Sequence, residues 1–280
     1  MSGFSKDWLL LREPTDRAAR SPELASALTA QLMTKASLNF ADFGCGTGAN
    51  LRATALNFRA EVPQCWRLFD NDPRLLRAAR ETLSTWADQW TDAGSGLRLQ
   101  KDGRRIEVVF CETDLGRDAG AILEAGEIAT ASAFFDLVSS DWIARFSRAA
   151  AKAGAIVYAT LTYNGLEIWS PPHPGDGAML AAFHAHQRRD KGFGRASGPN
   201  AAAMLEEALL AEGYSVKSGD SAWRLSSADR TLIELLAGGS AAAIAELNLF
   251  DESAISHWKN SRQEANACIV GHTDVLAFPQ

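Results

Sequence analysis

The sequence predicts an α/β fold: a doubly wound, mostly parallel seven-stranded sheet with helices on both faces. Three observations predict it. Seven strand-like runs alternate with helix-like runs, the order that right-handed crossovers join into a parallel sheet. Behind the first strand stand three glycines at every second position, Gly44, Gly46 and Gly48, and then a helix-like run. With 280 residues, 46% hydrophobic and 22% charged, the composition suits a globular chain that can bury one core.

Composition also excludes function classes. A net charge of -6 gives no global basic field for nucleic acid or an anionic membrane. No apolar stretch is long enough to span a bilayer. The segment Met1 to Asp7 lacks a basic stretch leading into a long apolar run, so no signal peptide is expected. Cys45, Cys65, Cys111 and Cys268 are scattered without C-x-x-C spacing. Free thiols in a reducing cytosol are expected, with no disulfide framework and no metal site.

Residues 1–36 read as a helical cover. Asp7 to Glu13 is amphipathic and stopped by Pro14, and Ser21-Pro22 caps a helix to about Thr34. Arg12, Arg17 and Arg20 line this segment, either as solvated charge or as a fork for a ligand carboxylate. Residues 38–161 read as the core. Leu38 to Phe43 is a buried strand, the glycines follow, and Asn50 to Phe58 is helical. A strand, a glycine turn and a helix N-terminus seat a polar ligand, and glycines let it lie on the main chain.

The second strand is Gln64 to Phe69, ending at Asp70, 22 residues beyond Gly48. A carboxylate there can accept from both hydroxyls of a ribose. Asn71 follows, and Asp72-Pro73 caps a helix through Leu75, Leu83 and Trp86. Asp102-Gly103 marks a hairpin into the third strand, Ile106 to Cys111. Asp114-Leu115 opens a helix through Ile122 and Leu123. Phe134 to Ser140 reads as the fourth strand, Asp141 as the cap of the next helix, and Trp142 as either core or a flat wall for a ligand. Gly154 ends that helix, and Ala155 to Leu161 is the fifth strand.

Residues 162–198 have the punctuation of a lid: Pro171, Pro172 and Pro174, a helix near Met179 to Arg189, then Gly192 and Gly194. Tyr163, His173, His184 and His186 fall in it, each a candidate base or a plain structural residue. His184 and His186 point away from each other on a helix, which disfavours zinc. Arg188 and Arg189 are either a solvated helix end or anchors for an acidic group on a substrate. Residues 199–280 complete the sheet with strands at Tyr214 to Lys217 and Ala267 to Ala277. Between them a helical insertion, 227–264, is broken at Gly238-Gly239 and offers substrate specificity or a homodimer contact.

Asp42-x-Gly44-x-Gly46-x-Gly48 resembles the first motif of class I S-adenosylmethionine-dependent methyltransferases. The dinucleotide fingerprint is the rival, met by Gly44, Gly46 and Ala49. Asp42 two residues before the first glycine, and the tighter closure at Gly48, favour the methyl donor. The resemblance covers about Leu38 to Leu161 and implies seven strands with the last antiparallel. It implies S-adenosylmethionine as cofactor, held by Asp42, Gly44, Cys45, Gly46 and Gly48, with Asp70 on the ribose and Asp114 on the adenine. Asn71, Leu115, Ser139 and Arg20 complete the expected cofactor set.

The acceptor side is expected at Trp142, Tyr163, His173, Arg188 and Arg189. Ser139-Ser140-Asp141-Trp142 departs from the Asn/Asp-Pro-Pro-Tyr motif of many amine methyltransferases that act on DNA or protein. The expected activity is therefore in-line methyl transfer to a small molecule in the cytoplasm, with no nucleic acid and no membrane partner. A nucleic-acid or protein methyltransferase, a non-catalytic cofactor-binding protein and an NAD-dependent enzyme are the alternatives. Positioning supplies much of such catalysis, and a base is needed only where the acceptor keeps its proton.

Overall fold

A computed structural model describes residues 5–118 and 122–280. The chain begins with α1 (Lys6–Ala19) and α2 (Pro22–Leu32), then β1 (Leu38–Phe43), α3 (Ala49–Thr54), β2 (Gln64–Asp70) and α4 (Pro73–Trp86). An antiparallel unit follows, β3 (Gln89–Asp92), β4 (Gly96–Lys101) and β5 (Arg104–Glu112), then the single turn α5 (Leu115–Asp118). Next come β6 (Ile128–Ser132), α6 (Ser140–Ala153), β7 (Ile156–Ser170), α7 (Asp176–Gln187) and α8 (Ala201–Ala211). The chain closes with β8 (Tyr214–Asp220), β9 (Trp223–Leu225), α9 (Arg230–Ala245), α10 (Glu252–Gln263) and β10 (Ala267–Pro279).

The sheet order is β3-β4-β5-β2-β1-β6-β7-β10-β8, with β9 beside β10. β5, β2, β1, β6 and β7 are parallel. β10 runs antiparallel between β7 and β8. The sheet has the expected number of parallel strands and the expected antiparallel last strand, and β3, β4 and β9 extend it. Alternate residues of β1 feed opposite faces: Phe40 packs with α2 and α4 residues Leu28 and Leu83, while Phe43 packs with α6 and α8 residues Trp142, Phe146 and Leu205. Burial on both faces explains why the parallel strands read as apolar runs.

Several expectations are corrected. Pro14 lies inside α1 and does not stop it. A proline there forfeits one helix bond, but contacts on both sides hold the helix: Glu13 pairs with Arg52, and Asp16 accepts from Arg12 and from the Trp223 indole. The fourth parallel strand is β6, not Phe134 to Ser140; Phe135 to Leu137 is a 3-10 turn. β6 is rich in small residues because β1 and β7 flank it and both its faces are covered. Phe134 and Phe135 instead pack their rings on Trp142. Ser139, not Asp141, caps α6 by accepting from the Trp142 N–H.

β7 continues to Ser170 against β10, so 162–170 belong to the sheet and the expected lid shrinks to α7 and the loop behind it. α9 passes through Gly238-Gly239 unbroken. Its apolar side packs Ile233, Ala237, Ala241 and Ile244 into buried clusters, and this tertiary packing outweighs the low helix propensity of two glycines. The helix expected through Ile122 and Leu123 crosses 119–121, outside the described residues; only Leu115–Asp118 is helical, and Ile122 and Leu123 are not. Among the described residues no helix is long and apolar enough to cross a membrane.

Candidate functional site

The site is built on the turn between β1 and α3. Gly44, Gly46 and Gly48 are all left-handed, with φ of +66°, +54° and +78°, a conformation that L side chains rarely adopt. A Cβ on Gly44 would stand 2.5 Å from the Phe134 ring, and one on Gly46 would stand 3.2 Å from Leu9 of α1. The turn is pinned to β2, with the Cys45 N–H donating to the Phe69 carbonyl at 3.0 Å. The Asp70 carboxylate then accepts from the Gly46 N–H at 2.9 Å and from the Asp72 N–H at 3.0 Å. Burial raises its carboxyl pKa, and those two bonds offset part of the rise.

Asp42 lies beneath the turn, fully buried. Its Oδ1 accepts from Asn50 at 2.6 Å, while Oδ2 has no partner among the described residues. Burial lifts its carboxyl to about 7. Arg20 reaches in from the end of α1 and donates to Thr54 at 3.0 Å and Ser132 at 3.3 Å; its Nε is buried with no partner among the described residues. Arg52 donates to the Thr47 carbonyl at 2.8 Å and to Glu13 of α1 at 2.8 Å, tying the turn to the helix above it. Cys45 is buried with its thiol pKa raised, first by burial and then by Asp70, which makes it a poor nucleophile.

α1 roofs the turn. Leu9, Arg12 and Asp16 face Gly44 to Thr47, Asn50 and Ser132 across a cleft of about 50 Å³. The larger hollow, about 550 Å³, lies at the amino ends of β1, β2 and β5 and is lined by Asn39, Cys65, Arg98, Arg105 and Glu107. Size favours that hollow, but chemistry favours the cleft. Ligands of open parallel sheets bind at the carboxyl ends of strands, where glycine turns and helix N-termini meet.

The expected residues divide. Asp42, Gly44, Cys45, Gly46, Gly48, Asp70 and Arg20 come together. Asp114 stands beside the β2 tip, because the Thr113 N–H donates to the Asp70 carbonyl at 2.9 Å; it is exposed and accepts from the Gly116 N–H at 3.0 Å. Asn71 is exposed next to Asp70, and Leu115 is a core residue whose carbonyl accepts from the Trp142 indole at 2.7 Å. Ser139 caps α6, while Ser132 holds the carboxyl end of β6 that Ser139 was expected to occupy. Trp142 has no exposed surface, which resolves its two readings in favour of core.

On the acceptor side, Tyr163 is on β7 with its hydroxyl 2.9 Å from His184 of α7. His173 serves the turn before α7, its Nδ1 accepting from Gly175 at 3.0 Å and its ring lying 5.4 Å from His257 of α10. That position packs it on the helical insertion, away from the glycine turn. Arg189 pairs with Glu246, the residue that caps α9, at 2.6 Å and is exposed, so it anchors the end of α7 and does not enter the cleft. Arg188 ends α7, half-buried, and its charge bears on His184.

Sequence reasoning missed Leu9, Asp16, Ser132 and Asp136. Asp136 follows β6 in the 3-10 turn with a buried, unpartnered Oδ1; burial lifts its carboxyl to about 6 against the pull of Arg12. The signal for Ser132 was the alternating small run Ala129-Thr130-Ala131-Ser132, which lacks the bulk that marks a strand.

No family model and no curated protein matches the sequence. Solved structures do match. The cyclopropane-fatty-acyl-phospholipid synthase-like protein of Lactobacillus casei is 16% identical, with TM-score 0.53 over 99% of this chain and 95% of that one. YcgJ of Bacillus subtilis is 13% identical, with TM-score 0.52 over 93% of this chain and 99% of its own. A Bacillus halodurans protein described as a candidate methyltransferase is 14% identical, with TM-score 0.50 over 91% and 99%. At these identities the likeness is one of fold: this chain has the class I methyltransferase fold.

Proposed function

We propose that this chain is an S-adenosylmethionine-dependent methyltransferase acting on a small molecule. One observation carries the reading. The glycine turn is bordered by buried polar atoms of both signs that have no partner among the described residues: Asp42 Oδ2, Thr47 Oγ1 and Arg20 Nε. Buried polar groups are normally hydrogen-bonded, so orphans gathered at one turn ask for a ligand. An amino-acid end, with an ammonium and a carboxylate, satisfies both signs.

When bound, the cofactor supplies an electrophilic methyl group. Asp42 and Arg20 would hold its amino-acid end, and the glycine turn would let it lie against the main chain. Asp70 takes the ribose, since a carboxylate has about four acceptor positions and the backbone uses two of them. Asp114, beside the β2 tip, would take the adenine. A cleft of about 50 Å³ holds no more than one or two waters at about 30 Å³ each, so α1 must move to admit the cofactor. Its return excludes water from the reacting atoms.

The likeness to a described candidate methyltransferase is consistent with this reading, and the net charge of -6 suits a small acceptor better than nucleic acid. Calorimetry with S-adenosylmethionine, its demethylated product and NAD tests it. Micromolar binding of the first two without NAD is expected. NAD binding without a response to the methyl donor would sink it.

A further inference from the structure

Just past the end of β6 and partway along β7, opposite a register shift in β10, the backbone is strained at two neighbouring points. Ala133 and Leu161 are left-handed, with φ of +51° and +56°, though neither is glycine. The Ala133 N–H donates to the Thr160 carbonyl at 2.9 Å, and the Leu161 N–H donates to Asp274 Oδ1 at 2.7 Å. Strain of this kind gathers at functional sites. Here it turns the chain just before Asp136 and just before Tyr163.

Tyr163 is buried, yet its hydroxyl meets a half-buried histidine, His184, 2.9 Å away on α7. Aromatic rings surround the pair: Phe183 at 6.4 Å and His272 at 6.1 Å from Tyr163, and Trp223 at 5.3 Å from His272. The Trp223 indole donates to Asp16, and the Arg12 guanidinium lies over its ring at 5.3 Å. Asp16 and Arg12 both line the cleft over the glycine turn. A continuous set of side chains therefore joins the tyrosine–histidine pair to the cofactor cleft. Two buried atoms with no partner among the described residues lie along it, Asp136 Oδ1 and His272 Nδ1.

We propose that Tyr163 and His184 take the proton of the methyl acceptor, and that this acceptor is an aromatic hydroxyl compound. The proposal rests on the methyl-transfer reading above. The acceptor's O–H donates to Tyr163 Oη, whose own hydrogen is directed at His184 Nε2. As the acceptor oxygen bonds to the methyl carbon, the carbon–sulfur bond breaks and its electron pair stays on sulfur. The acceptor proton passes to Tyr163, the tyrosine proton passes to His184, and the imidazolium releases a proton to solvent. Charge balances: the sulfonium is lost and one proton is gained.

Each group around the pair fits this role. Burial first and then Arg188 lower the His184 pKa, so the ring is neutral and can accept. Burial, then Glu167, Asp136 and Cys268, push the Tyr163 phenol up, so it relays a proton and is not itself the base. His272, across on β10, is held neutral with its pKa down to about 3. Glu246, which caps α9, is engaged with His186 and Arg189 and leaves His184 alone. Arg12, which donates to Asp16 and lies over the Trp223 ring, lines the cleft from α1. An amine attacks with a free lone pair and needs no base before the bond forms, whereas a phenol of pKa about 10 is un-ionised at neutral pH. The aromatic lining suits the ring.

The test offers 4-methylphenol, catechol and 4-nitrophenol as acceptors, with aniline and thiophenol as contrasts. Wild type, Tyr163→Phe and His184→Gln are compared from pH 5 to 10, with product read by mass spectrometry. The phenols are methylated, and at pH 7 both variants lose about 10²- to 10⁴-fold on 4-methylphenol. Both bind the demethylated cofactor within twofold of wild type, which also reports their folding. The rising limb of kcat/KM in His184→Gln moves from below the ordinary histidine value to about 10, the ionisation of the phenol itself. 4-Nitrophenol, already ionised at the upper end of the range, is spared there. By NMR, Tyr163→Phe raises the His184 pKa, because a donor to the neutral ring is lost. Cofactor binding without methylation of any phenol overturns the proposal, as do unchanged pH profiles or an unchanged His184 titration. Absence of cofactor binding by wild type strikes instead at the methyl-transfer reading.

Discussion

Replacing Asp70 separates its structural task from its ligand task. The carboxylate is 7% exposed and accepts from the Gly46 and Asp72 N–H groups. Two of about four acceptor positions remain for a ribose. Asp70→Ala removes them, at about 1.5–3 kcal/mol for hydrogen bonds to a charged group, or about 10- to 150-fold in affinity. It also strands two backbone donors at about 1–3 kcal/mol each. The fold should lose about 2–6 kcal/mol, at about 2–4 °C in Tm for each kcal/mol in a chain of this size. Asp70→Asn keeps one acceptor oxygen and most of the fold but cannot serve both ribose hydroxyls. Calorimetry with S-adenosylmethionine at 15 °C, beside thermal melting of each variant, separates the two effects. If both folded variants bind within twofold of wild type, the carboxylate only ties the turn to β2 and the ribose lies elsewhere.

Three further outcomes are expected. Gly46→Val places a branched side chain at φ +54° and into Leu9; it should cost about 1–2 kcal/mol of stability and abolish cofactor binding, and a folded variant of normal affinity would refute the turn's role. Leu9→Ala loosens α1 over the turn by about 1 kcal/mol of apolar burial, so stopped-flow tryptophan fluorescence should show on the order of fivefold faster cofactor binding; unchanged rates would mean that α1 does not gate the cleft. Burial lifts Asp42 to about 7, so between about pH 4 and pH 7 the folded state holds a proton that the unfolded chain has released. Stability from this group therefore falls as pH rises through that window. Asp42→Asn should remove the trend, read as the wild-type minus variant difference in Tm from pH 4 to 8, and a difference that does not vary with pH would refute the assignment.

The core was legible because its signals are local. Asp42, the three glycines and Asp70 could be placed from spacing, since a turn between two buried strands leaves few geometries. The same holds for Ser21 and Asp72, which cap α2 and α4 as their positions next to proline suggest. β6 was not legible. Its neighbours β1 and β7 supply the bulk, so Ala129 and Ala131 suffice within the strand, while the bulky Phe134 and Phe135 just beyond it imitate one. Residues 162–170 look like a loop because Asn164 and Gly165 interrupt them; only pairing with β10, a hundred residues away, keeps them extended.

The roof over the turn was illegible for the same reason, and it shows how distant pairs set the site. Pro14 argues locally for a helix end at Glu13. Glu13 is instead bound to Arg52, and Arg52 also holds the Thr47 carbonyl and Thr82. A single buried guanidinium thus joins α1, the glycine turn and α4. Removing one partner of such a pair leaves the other charged and buried, which is costly. Motion of α1 is therefore favoured at its first turns, around Leu9, where the contact is apolar and weaker. The helix can lift from Gly46 at its start while Glu13 and Arg52 keep its second half, and Asp16 with it, in place over the cleft.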